Sequence, residues 1–561
     1  MQMKSFKYIC VIVSCLIVAC SKDFLEKRPQ GELNNSQLLN QKGTEGLVMG
    51  AYSLLKGDAT AGGWSANLTW GSIQADEMHK GCDPGCGVEL VDYEVHQPLA
   101  TGVELLNKWK WCYNGVSRCN DALRLLNTVT TVNEDVKKML TAEARFLRGY
   151  YHFEAKKIWG QVPYVDENVT DFKVPNNRDI WPDIMADFEY AIENLPSTPS
   201  QKGRASKGAA EAYLAKAYMY QGAFDKAKPL LETVINDRAY ALAPFYWHNF
   251  NAAFENNSES VFQVQMSVND GANGANGNPG WGTGLYNAGK EAPLSLGYFQ
   301  PSLDLVNSYK TEDGLPMLDN YFMEEVKNDM GVPSSQPFEP YQGALDPRLD
   351  WAVARRGIPY LGWGDFRGQV WIRDQANNGP YMTKKYTYTK PQDGQYSQGP
   401  NASTNATNVN IIRLADVILM AAECEVEIGD LEKARAYVNS VRVRAAKSEG
   451  FVKRENGTDA ANYQLSGYQL PWVDKEFARK AVRFERKLEL SLEGHRFFDL
   501  VRWGIADQIL NPYYARESKV IKHMQNASFE KGKHEYVPIP WNEIVLSITN
   551  GTPTLQQNPG Y

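Results

Sequence analysis

Two distant stretches of this chain repeat one another, and the repeat restricts the fold more than any other feature. AKAYMYQGAFDKA (215–227) and AECEVEIGDLEKA (422–434) place a small residue, a glycine and an alanine at the same offsets, with an apolar residue (Phe224, Leu431) two positions after the glycine. Each runs on into a second amphipathic segment, KPLLETVI and RAYVNSVRVRA. Small residues let two helices approach, and the glycine ends the first helix in the left-handed conformation that reverses the chain. The pattern predicts a helix, a tight turn and an antiparallel helix, similar to a tetratricopeptide repeat. One such pair cannot bury its own apolar face, so at least three must stack on a shared core. Amphipathic runs at 106–128, at 136–159 (closed by Gly160 and Pro163) and at 180–195 (ending at Pro196) extend the helical body.

Residues 60–105 and 266–410 read differently. They hold NDGANGANGNPGWGTG, QDGQYSQGPNASTNATN and similar runs of glycine, asparagine and proline with interspersed aromatics. These predict long loops and short strands projecting from the helices. Loops of such length either serve a site or are disordered, and the Trp and Tyr residues argue for a site.

The N-terminus, MQMKSFKYICVIVSCLIVAC, combines a basic start (Lys4, Lys7), a short apolar stretch and a small residue before Cys20. The stretch is too short to span a bilayer, so residues 1–19 read as a lipoprotein signal peptide and Cys20 as the lipidated first residue of the mature chain. The body is then soluble and tethered to a membrane face by the lipid. The formal charge of −7 becomes about −9 once Lys4 and Lys7 are removed. An acidic chain with no basic block does not suit nucleic acid.

Five of the eight cysteines lie beyond Cys20. Cys82 and Cys86 frame CDPGC, a turn that a disulfide would staple outside the cytoplasm. Cys112 and Cys119 share a helix face, their pairing left open, and Cys424 reads as a core thiol. The cysteine spacing is not that of a zinc module, and no metal site is expected.

Glu485, Glu489 and Glu493 recur every four residues, a ladder of like charge. Arg486, Arg496, Arg442 and Arg444 are the expected partners in semi-buried ion pairs. Carboxylates on one rigid helix cannot straddle a sugar bond from both sides, so catalysis is not expected of them. The seven histidines form no HExxH, and there is no nucleophile elbow, phosphate loop or dinucleotide fingerprint.

The aromatic loops carry the functional reading. Sugar rings stack their apolar faces on Trp and Tyr while their hydroxyls meet amide, acid or guanidinium groups. Trp64, Trp70, Asp76 and His79 form one candidate group. Trp281 and Tyr286, with Trp363, Arg367 and Trp371 (and Arg373 beside them), form the other. The same lining would also suit an extended peptide.

Five sequence landmarks in order resemble the SusD/RagB-like surface lipoproteins of Bacteroidetes. They are DFLE and Pro29 after the lipid cysteine; ARFLRGYY (144–151) closing on Trp159, Gly160 and Pro163; Arg413-Leu414-Ala415-Asp416 with Glu423; Glu485 to Trp503; and PIP (538–540) to the terminal NPGY. The resemblance implies a mainly α fold with a body of about four tetratricopeptide-like pairs and a loop-rich, short-strand ligand-binding region. It divides the chain into 20–245 and 246–561, the second holding the ligand-binding loops and last helical pair. It implies capture of oligosaccharide, or in some members peptide, at the cell surface without bond chemistry, and delivery to a SusC-like TonB-dependent transporter in the outer membrane. The family's ligand groove is built from loops in the two candidate regions, though not residue by residue. No cofactor is implied, and whether calcium orders a loop stays open. A surface-tethered glycoside hydrolase and a purely protein-binding scaffold are the rival readings.

Overall fold

The computed structural model describes residues 38–57, 67–272, 296–398 and 404–561, with 280–281 as backbone. The order begins with helices α1 (Gln41–Tyr52) and α2 (Val88–Glu94), then the long α3 (Val103–Thr128) and α4 (Glu134–Trp159). Next come α5 (Trp181–Asn194), α6 (Lys207–Tyr220) and α7 (Phe224–Asn236). After a long insertion follow α8 (Leu414–Ile428), α9 (Leu431–Ala445), α10 (Lys475–Glu489), α11 (Arg496–Arg502) and α12 (Ala506–Glu517). From α3 to α9 each helix packs on the next, so the body is the stacked array of antiparallel helices that the repeat predicts.

Local chemistry sets the helix ends. The Asn133 side chain accepts from the backbone N–H groups of Asp135 and Val136 and starts α4, with Glu134 and Asp135 complementing its dipole and Lys156 and Lys157 its last turn. Gly160 then stops it at φ +69°. The α6 helix is buried on nearly every side. Gly208, Ala209, Ala212, Ala215 and Ala217 let α5 and α7 pack closely against it.

The two repeat glycines do different work. Gly222 adopts the left-handed φ of +69° expected of it. Gly429 does not: its φ is −128°. Here the Glu425 carboxylate folds back to accept the Asp430 N–H at 3.0 Å, and a Cβ on Gly429 would lie 1.9 Å from that carboxylate oxygen. The second glycine serves a side chain's approach rather than a backbone twist.

Helices α7 and α8 pack directly although 177 residues lie between them. The insertion is closed at its base by an antiparallel pair, β2 (Ser260–Val264) with β6 (Val409–Arg413). Within it run β3 (Gly280–Trp281), paired with β5 (Thr404–Asn405), and β4 (Tyr298–Pro301), paired with β1 (Met78–Gly81) near the N-terminus.

The carboxylate ladder is fully, not semi-, buried. Glu485 meets Arg442 at 2.7 Å and Arg348 at 2.6 Å. Glu489 meets Arg413 at 2.6 Å and Arg348 at 2.9 Å and also pairs with Arg444. Glu493 lies beyond the end of α10 and is held by Arg413 and Lys385 at 2.7 and 2.8 Å. Arg348, Arg413 and Lys385 come from the insertion and its closing strand, which local sequence could not associate with α10. The other landmarks also meet each other. Asn558 donates to the carbonyls of Trp159 and Val537 at 2.8 and 2.7 Å, and the Trp159 indole donates to Pro538 at 3.0 Å.

Candidate ligand-binding surface

The first aromatic group is a buried joint. Residues 68–82 thread the interior with every side chain buried. Trp70 is 1% exposed, edge-on to Tyr93 at 4.7 Å and tilted against Trp159. Asp76 accepts from Arg496 at 2.8 and 3.0 Å and pairs with Lys487 at 2.9 Å. Burial raises its carboxyl, but Arg496 and Lys487 outweigh burial and hold it far below the usual carboxylate range. His79 is clasped between Glu94 at 2.7 Å and Glu517 at 3.0 Å. The sequence reading of Trp70, Asp76 and His79 as ligand contacts is therefore corrected: these side chains offer no face to solvent. The segment looks like a loop in sequence because its partners are ion pairs with the distant C-terminal helices, not an apolar period.

Trp64, Tyr286, the side chain of Trp281, Cys20 and the signal segment lie outside the described residues. The backbone of Trp281 is paired with Thr404.

The second group divides. Trp371 is 2% exposed and packs on Tyr360 and Phe366 in a small satellite core, so it too is a structural plug. Arg367 is exposed. Trp363 is half-buried, with Tyr388 edge-on at 6.3 Å and the exposed Lys390 Nζ 5.7 Å from its ring. Burial, eased by the Ser397 hydroxyl, leaves the Tyr388 phenol pushed up to about 12, so it stays a neutral donor.

A continuous rim runs on from Trp363. The Asn269 N–H donates to Gln398 Oε1 at 2.7 Å, and its side-chain amide donates to the carbonyls of Gly394 and Ser397. Asp270 beside it feels the charge of Lys56. Lys56, Asn269 with Asp270, and Gln398, which precede 58–66, 273–295 and 399–403, are thus linked through Ser397 to Tyr388, and the bridge from Ser397 to Asn405 on β5 brings the Trp281 backbone of β3 near them. The sequence reading missed Tyr388, Lys390, Asn269 and Gln398. Only the aromatic and amide content of 386–398 hinted at them.

Cys82 and Cys86 are joined as a disulfide, and Arg373 ties that loop down through Asp83 at 2.5 Å. Cys112 and Cys119 are free and buried. Burial pushes the Cys424 thiol up to about 12, as suits an inert core residue.

The comparisons with known proteins agree with this architecture. The model of the SusD family matches residues 258–561, and one described as starch-binding and associating with the outer membrane matches 23–219. SusD-like protein P25 of Formosa agariphila is 25% identical over 517 residues, with 89% of each chain covered. A SusD-like protein of Bacteroides ovatus is 25% identical, over 91% of this chain and 84% of its own. A SusD superfamily protein from Bacteroides vulgatus superposes with a TM-score of 0.71 at 23% identity, covering 93% of this chain and 99% of that one. Surface glycan-binding protein A of Bacteroides thetaiotaomicron, solved with laminarihexaose, superposes at 0.65 and 22% identity over 92% and 99% of the two chains. The helical array, the closed insertion and the family match over more than half of its length place this chain in the SusD family.

Proposed function

We propose that this protein is a lipid-anchored lipoprotein of the outer membrane that captures an oligosaccharide at the cell surface. It then delivers the glycan to a SusC-like TonB-dependent transporter and breaks no bond itself. The observation that carries the proposal is the half-buried Trp363 on Tyr388 beside Lys390, in the neighbourhood that also receives the Trp281 strand. An indole face with a phenol and an ammonium beside it matches the apolar ring face and hydroxyl rim of a sugar.

Association with the outer membrane in the matching family description supports the location. Among the described residues no helix is long and apolar enough to cross a membrane, which agrees with anchoring through Cys20. The glycan reading gains support from the laminarihexaose complex and from a laminarin-binding SusD-like protein that superposes at a TM-score of 0.67. The ladder carboxylates that would tempt a hydrolase assignment are saturated by arginine and lysine.

The test is calorimetric titration of the mature chain without Cys20 against laminarin, other polysaccharides and a peptide digest. Heat with a glycan that disappears in Trp363→Ala supports the reading. Heat with peptides alone assigns the surface to peptide capture and sinks it.

A further inference from the structure

Folding creates a histidine pair that the sequence does not contain. His79 on β1 and His523 in the helical turn Lys522–Asn526 are 444 positions apart, yet both reach the carboxylate of Glu94 at the end of α2. We propose that His79, Glu94 and His523 form a binding site for a divalent transition metal, zinc being the natural occupant.

The argument starts from the donor atoms. His79 Nδ1 lies 2.7 Å and His523 Nε2 2.9 Å from the same oxygen, Glu94 Oε1, and the three ligand atoms all fall within 4.8 Å of one another. At 2.9 Å the His523 nitrogen would normally donate a hydrogen bond to the carboxylate. It makes none, and neither ring nitrogen of His523 has a hydrogen-bond partner although both are buried. His79 Nδ1 hydrogen-bonds to Glu94 Oε1, whereas His523 Nε2 lies beside the same oxygen without a hydrogen bond, which leaves a buried nitrogen available to an ion shared by the three groups.

The surroundings fit. The other nitrogen of His79 points at Glu517 Oε1, 3.0 Å away. A carboxylate behind a ligating imidazole fixes its tautomer and raises its basicity. Glu517 is itself held by the Leu303 N–H at 2.9 Å, and the second oxygen of Glu94 by the Lys80 N–H at 3.0 Å. The Lys80 ammonium is turned away into the carbonyls of Asp83 and Cys86. A divalent cation that displaces the proton His79 shares with Glu94 would balance the two buried carboxylates, Glu94 and Glu517. Two nitrogens and one oxygen suit zinc, whose three-ligand sites keep an exchangeable fourth position. His523 is the most exposed of the group, with 13% of its side chain open to solvent, so it marks the entry side. The bound ion would clip β1 and α2 to the C-terminal turn beside the Cys82–Cys86 loop.

The test uses tag-free mature protein stripped with chelator. Titration with zinc chloride should show one equivalent bound and a raised melting temperature. Cobalt substitution should give the visible absorption of a four-coordinate nitrogen and oxygen site. His523→Ala changes a partly exposed turn residue and should lose at least ~100-fold in zinc affinity and the melting shift. Glu517→Gln should weaken binding ~10–100-fold as the group behind His79. No bound zinc in the wild type, zinc held equally by His523→Ala, or a six-coordinate cobalt spectrum each overturns the proposal.

Discussion

Arg413 Nη1 and Glu489 Oε1 stand 2.6 Å apart with neither side chain reaching solvent. One residue closes the insertion and the other ends α10, so this contact fastens the loop-rich region to the helical array. Arg413 also holds Glu259 and Glu493, each at 2.7 Å. The ladder is a lattice of alternating charge rather than a set of pairs.

Removing one member leaves its partners charged and buried. Glu489→Gln takes one buried charge from Arg413, Arg348 and Arg444 at once, leaving them to share Glu259, Glu485 and Glu493, and the loss should be ~3–5 kcal/mol, read as a lower midpoint in urea unfolding. A midpoint within error of the wild type would mean that the ladder contributes no net stability.

Acid should attack the same lattice and the buried Asp416, which pairs with Lys216 and Arg486. Glu489 and Asp416 are raised by burial but lowered further by the cations around them, Arg444 first for Glu489 and Lys216 first for Asp416. Their folded values lie below the unfolded ones, so their stabilisation is present above roughly pH 4.5 and is lost as pH falls toward the folded values. Melting temperature followed from pH 7 to pH 3 should drop steeply below about pH 4.5. A flat profile there would contradict the assignment.

Glu255 titrates with the opposite sign. Burial, against the Asn408 N–H it accepts, pushes it up to about 7. Its folded value exceeds the unfolded one, so its contribution is largest in acid and declines as pH rises from about 4.5 to 7. Glu255→Gln should flatten the stability profile across that window while leaving the acid limb in place. An unchanged slope would mean that Glu255 does not titrate there.

Two glycines separate steric from conformational demand. A Cβ on Gly71 would sit 1.9 Å from the backbone oxygen of Gly494, whereas one on Gly222 meets nothing within 4 Å. Gly71→Ala should cost ~3 kcal/mol or more by forcing two backbones apart. Gly222→Ala should cost ~1–2 kcal/mol, the strain of a left-handed alanine. Thermal unfolding of the two variants ranks them, and the reverse order would refute the close approach.

The tryptophans should split by role. Trp363→Ala should weaken glycan binding at least ~10-fold, ~1.4 kcal/mol, with little change in melting temperature. Trp371→Ala empties the satellite core and should cost ~3–5 kcal/mol of stability. Affinity and melting measured on both variants decide; a binding loss confined to Trp371→Ala would move the surface elsewhere.

How much was legible depended on range. The helices at 103–128 and 134–159 were readable because spacing, caps and Gly160 act within a few residues. Glu485 and Glu489 were recognisable as ion-pair formers because Arg442 and Arg444 sit on the neighbouring repeat helix. Arg348 and Lys385 were not, since only the closure of the insertion brings them in. Trp70, Asp76 and His79 misled because glycine-rich neighbours signal a loop, and no local signal distinguishes an exposed loop from one whose polar groups find buried partners across the fold.

By itself the sequence determined the stacked helical pairs, the loop-rich insertion and the family, all of which rest on short-range periodicity or on ordered landmarks. Only the tertiary structure decided which aromatics face outward, which charges are buried in ion pairs, and that His79 meets His523. Burial and charge pairing depend on residues hundreds of positions apart, and their distances exist only once the chain has closed on itself.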